Sequence, residues 1–133
     1  MLDAMPVAQR VQNLKTVAML AVSNGEFSFA LRDFLDGFYE SPSSDALADE
    51  PQFLDGVIAD GARLDAYLAA VAEHLCRMHG YPLPRWTGQE RRFLKLPWFA
   101  MKSHSGRMLL LMDSPSAFRA RNIFVSADAL SRV

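Results

Sequence analysis

The chain has 133 residues, half of them apolar, a formal net charge of −1 and a single cysteine. That length suits one domain burying roughly two thirds of its unfolded surface, and the composition excludes wholesale disorder. One cysteine excludes an intrachain disulfide, and no run approaches the roughly eighteen apolar residues of a membrane span. The expectation is a cytoplasmic protein with no membrane partner.

Pro6 suits a first helical position, and Val7, Val11, Leu14, Ala18 and Ala21 repeat at spacings of three and four, so a first helix is predicted from near Pro6 to Gly25. A second follows in EFSFALRDFLDGFYE, with Phe27, Leu31, Phe34, Leu35 and Phe38 on one stripe and Asp33, Asp36 and Glu40 on another side. SPSSDALADEP reads as a loop with at most one helical turn. GARLDAYLAAVAEHLCRMHG gives the most regular helix, with Leu64, Tyr67, Leu68, Val71, Leu75 and Met78 in line, Asp60 as N-cap and Gly80 as stop.

Pro82 and Pro84 then force extended backbone. Thr87 and Glu90 have the spacing of a capping box, which predicts a short helix through ERRFLKL until Pro97, with Trp98 and Phe99 in a turn. KSHSG reads as a loop, and RMLLLMD is too short for periodicity to separate helix from strand, with helix preferred. Ser114 and Pro115 open a short helix ending near Asn122, the β-prone Ile123, Phe124 and Val125 follow, and Ser126 caps a last turn through Leu130. The predicted class is mainly α: a single compact helical domain over 1–133, with a short strand or hairpin in the C-terminal third.

Charge is unevenly distributed. Residues 1–84 hold five basic and twelve acidic side chains, whereas 85–133 hold nine basic and three acidic. Either the halves complement each other within the fold, or the basic half serves an acidic partner or nucleic acid.

Chemistry-bearing clusters are sparse. His74, Cys76 and His79 are the nearest approach to a metal site, but positions 74 and 79 sit about 140° apart on a helix and only Cys76 and His79 share a face. Arg77 points away from Cys76, so thiolate activation lacks a cation. Ser103, His104 and Ser105 are sequence neighbours with no oxyanion motif, Asp33 and Asp36 fit a solvated face, and phosphate-cradling glycine motifs are absent. No cofactor, metal or catalytic residue is expected.

The aromatic and basic set of the second half is more informative. Arg85, Trp86, Arg91, Arg92, Trp98, Phe99, Arg119, Arg121 and Phe124 combine the residue types most common at interaction hot spots. The competing reading places the tryptophans in the core. Arg119 and Arg121 lie about 200° apart on a helix, so one of them is expected to turn inward.

Gly80, Pro82, Pro84 and Trp86, then Pro97, Trp98 and Phe99, then Ser114, Pro115, Phe118, Arg119, Arg121, Phe124 and Val125 carry a resemblance over most of residues 27–133. In these motifs the chain resembles a family of small uncharacterised bacterial proteins, themselves similar to the antitoxin-like partner of nucleotidyltransferase-type toxin modules. The resemblance implies a protein-binding antitoxin that docks on and neutralises a co-encoded nucleotidyltransferase-like toxin, with the nine residues above as its partner-binding set. A nucleic-acid-binding transcriptional regulator using the same arginines, a small enzyme of unknown class, and a homodimer stay open.

Overall fold

The computed structural model describes residues 11–131, which divide between Gln52 and Phe53 into two compact units. The division does not follow the charge boundary after residue 84. The described part of the first unit holds two basic and seven acidic side chains, and that of the second holds ten basic and seven acidic. The architecture is mainly α: among the described residues there are six helices and one pair of two-residue strands.

The first unit comprises α1 (Leu14–Asn24), α2 (Phe27–Glu40) and the single turn α3 (Asp45–Ala48). The start expected at Pro6 lies outside the described residues, but Val11 is not helical: Asn13 caps α1, its side chain accepting from Thr16 N at 2.8 Å. An Asn side chain satisfying an orphan helix N–H outweighs the apolar spacing that would carry the helix further back. Gly25, at φ 67°, closes α1 by donating to Ala21 O and turns the chain into α2. There Leu14, Val17, Ala18 and Ala21 are buried, as are Ala30, Leu31, Phe34, Leu35 and Phe38 of the neighbouring α2.

The second unit is organised on α4 (Gly61–His79). Its first residue must be glycine, since a Cβ there would overlap the Leu54 carbonyl. Asp60 stands at the N-cap position at φ 60° but gives no side-chain cap; its carboxylate meets Arg63 instead. Gly80, at φ 71°, ends the helix as expected, with Gly80 N and Tyr81 N both donating to Cys76 O.

Of the helix expected through ERRFLKL only the 3-10 turn Glu90–Arg92 forms, preceded by another 3-10 turn at Arg85–Gly88. Thr87 does not form the capping box, because its hydroxyl donates to Pro84 O at 2.8 Å. The chain then bends through 93–96 into β1 (Trp98–Phe99), which pairs in parallel with β2 (Ile123–Phe124), Trp98 opposite Ile123 and Phe99 opposite Phe124. Parallel pairing excludes a hairpin and requires a crossover. That crossover contains α5 (His104–Asp113) and the single turn α6 (Ser116–Arg119).

RMLLLMD is therefore helical, and Ser103 is its N-cap rather than a loop nucleophile, accepting from Gly106 N at 3.0 Å. Ser114 is not the cap of α6; its buried hydroxyl lies 2.7 Å from Leu110 O and accepts from Val125 N at 3.0 Å, tying α5 to the end of β2. Asn122, at φ 64°, turns the chain into β2 and donates to Leu94 O at 2.9 Å.

Candidate functional site

Within the second unit α4 presents two acids to arginines that arrive from the C-terminal half. Asp65 is fully buried: it accepts from Leu54 N at 2.6 Å and Asp55 N at 3.1 Å, with Arg92 Nη1 at 3.8 Å. Burial pushes its pKa up, against the pull of those two N–H groups and of Arg92 and Arg91. Arg92, also fully buried, has its guanidinium carbon 4.1 Å from the Phe53 ring centre and 5.0 Å from that of Trp86.

Glu73 bridges two guanidinium groups, Arg121 Nη1 at 2.7 Å and Arg77 Nε at 2.8 Å. Burial would raise its pKa, but the hydrogen bonds and charges of those arginines outweigh burial and hold it below the ordinary value. Arg121 also donates from Nη1 to Ala117 O at 2.8 Å and from Nη2 to Thr87 O at 2.7 Å, and its guanidinium lies over Phe93. One arginine thus ties α4, the first 3-10 turn and α6 together, using the planar fork that lysine lacks.

The nine residues predicted from sequence separate into two groups. Trp86, Arg92, Arg121 and Phe124 are buried, and their side chains build the unit. Space filling by Trp86 and Phe124 and the pairing of Arg92 and Arg121 with acids of α4 account for that burial. Arg85, Arg91 and Arg119 are exposed, and Trp98 and Phe99 are half-buried.

Arg91 lies over Phe53 with 3.9 Å to the ring centre, and Arg119 donates to Ser114 O at 2.8 Å. Trp98 carries two cations, Arg63 at 4.5 Å and Lys102 at 5.3 Å from its centroid. Phe99 stacks on Phe124 at 4.8 Å with Arg107 above it. Of the ten cations in the second unit, Arg85, Arg91, Lys95, Lys102, Arg107 and Arg119 are exposed and make no ion pair among the described residues. Stacking on rings orients several of them without neutralising them.

The other titratable clusters weighed in the sequence are distributed as follows. Among the described residues no three His, Cys, Asp or Glu side chains gather as metal ligands. Cys76 is buried, and burial together with the Glu73 charge pushes its thiol pKa up, the wrong direction for a nucleophile. His74 packs against Phe118 with its pKa lowered by burial, and His79 stacks on Tyr81. Asp33 accepts from Val11 N at 2.8 Å while Asp36 is exposed. In the first unit a cleft of about 480 Å³ is floored by Phe34 and Phe38 and edged by Gln12, Asn13 and Glu40. Asn13 is already committed to capping α1.

Two features escaped the sequence reading. Asp65 falls in line with Ala69, Ala72 and Cys76, and that spacing could have marked it as an interior acid. Outward on α5, His104, Met108, Leu111 and Met112 share a face. Among the described residues no helix is long and apolar enough to cross a membrane. No family model, curated protein or solved structure matches the chain.

Proposed function

We propose that the chain is a protein-binding module whose second unit docks on a partner bearing an acidic face. The resemblance in sequence makes a co-encoded nucleotidyltransferase-like toxin the expected partner, neutralised in the cytoplasm by that contact. One observation supports this reading above the others: six exposed cations of the second unit make no ion pair among the described residues, while Arg92 and Arg121 absorb the acids of α4. An exposed cation that no internal group neutralises is free to pair across an interface, and arginine held on an aromatic ring gives up little freedom in doing so.

The test is co-expression with the neighbouring gene product, scored by co-purification and relief of toxicity. Wild type is expected to do both, and R85E/K95E, at two exposed positions, to lose both while melting at the wild-type temperature. Absence of a complex with wild type, or a complex indifferent to R85E/K95E, overturns the reading. Reversal of Arg92 is unsuitable, because it would place an acid beside buried Asp65.

The same exposed arginines favour nucleic acid as a second reading. Against it, Asp55, Asp60, Glu90, Asp113 and Asp128 are exposed on the same unit. Contact with about four phosphates would give a slope of about −3.6 for log affinity against log salt on duplex DNA, and a flat response excludes it.

A further inference from the structure

Two cations of the second unit converge on one ring. Arg63, from the first turn of α4, holds its guanidinium carbon 4.5 Å from the centre of Trp98, and Lys102, just ahead of α5, holds its ammonium 5.3 Å from the same centre. The indole attracts each through its π-face but carries no net charge, so it gathers the two cations without cancelling their mutual repulsion. Only a negative group does that. Among the described residues the carboxylate that reaches the pair is Asp60, with Oδ2 3.5 Å from Arg63 Nη2, and Lys102 makes no ion pair. Asp60 is loosely held: it gives α4 no side-chain cap, and 72 % of its side chain is exposed against 24 % for Arg63.

We infer that Arg63, Trp98 and Lys102 are the anchor of the docking surface and receive a carboxylate of the partner, which displaces Asp60 from Arg63. The inference rests on the reading of the chain as a module for an acidic partner, and gives that contact its place and its chemistry. Half-buried Trp98 supplies a rigid apolar plate beside the two charges, the combination that carries most energy at interfaces. An arginine already mostly covered and oriented on a ring gives up little freedom when it binds. The acid that the site draws in from its own chain is a carboxylate, and a doubly charged phosphate would meet more repulsion from Asp60 at the rim than a singly charged carboxylate does.

Asp60 is then an internal competitor, and the two sides of the competition can be moved separately. K102E takes away a receiving charge at an exposed position, where an acid ahead of α5 also suits the helix dipole, so the fold should keep its melting temperature. D60N takes away the competitor, and asparagine accepts the left-handed backbone of that position.

The probe is hexaglutamate, titrated into the full isotope-labelled chain while the indole N–H resonance of Trp98 is followed by NMR. That resonance is expected to move while the one of buried Trp86 stays, with the affinity falling about threefold or more in K102E and rising about twofold in D60N. No movement at Trp98, no tightening in D60N, or a stronger response to inorganic pyrophosphate than to hexaglutamate overturns the inference. So does a lower melting temperature in K102E, since the counter-charge of Lys102 would then be internal. With the neighbouring gene product in place of hexaglutamate, D60N is expected to bind more tightly than wild type and K102E less tightly. Loss of that complex in R85E/K95E, with K102E and D60N both binding as wild type does, overturns the anchor and leaves the docking reading standing. No complex with wild type, while hexaglutamate still binds at Trp98, overturns the docking reading alone.

Discussion

The helices α4 and α5 sit in the same unit and are used in opposite ways. Eleven of nineteen residues of α4 are buried, Asp65 among them, whereas α5 buries two of ten and turns methionine and leucine outward. The contrast separates two populations of arginine as well. Those that reach α4 are structural, closed off by carboxylates, carbonyls and rings; those elsewhere on the unit are exposed and make no ion pair among the described residues. Arginine content alone therefore says little about binding until the internal acids have been assigned.

Truncation at the α4 network should give the largest effect. R121A leaves Glu73 short of its buried partner and frees the carbonyls of Ala117 and Thr87, at a cost of about 3–5 kcal/mol measured by urea unfolding. L110A removes the one fully buried anchor of α5 and should cost about 2–4 kcal/mol, while M112A, on the opposite face, should stay within about 0.5 kcal/mol. Equal losses at 110 and 112 would show that the outer face is not free.

The two acids of α4 should differ in pH response. Glu73 is held below its ordinary pKa of 4.5, so its contribution to stability is present above that pKa and lost as pH falls through the lower folded value. Asp65 is raised above 3.8, so ionising it opposes folding as pH rises through its folded value. E73Q should therefore flatten the acid limb of a stability–pH profile, and D65N should not. Identical profiles for the two variants would contradict the assignment.

The helices were legible where apolar spacing and a glycine stop agreed, as along Leu64 to Gly80. They were not where a side chain found a local partner that competes with the pattern: Asn13 shortened α1, and Thr87 turned back to Pro84 O and left a 3-10 turn. The strand pair was foreshadowed by Ile123, Phe124 and Val125, but its mate Trp98–Phe99 could not be found without the crossover between them. In the candidate site Arg85, Arg91, Arg92, Arg119 and Arg121 were all assigned to partner binding, and Arg85, Arg91 and Arg119 are exposed. Arg92 and Arg121 carry the same composition signal; only the three-dimensional approach of Asp65 and Glu73 tells them apart.

The central claim is that the exposed arginines bind and the buried ones hold the fold. It is tested most directly by titrating the neighbouring gene product against wild type and R85E/K95E, with a thermal melt of each variant. The account predicts at least a tenfold loss of affinity for R85E/K95E at an unchanged melting temperature. Wild-type affinity in R85E/K95E, or a loss that appears only together with unfolding, would contradict it.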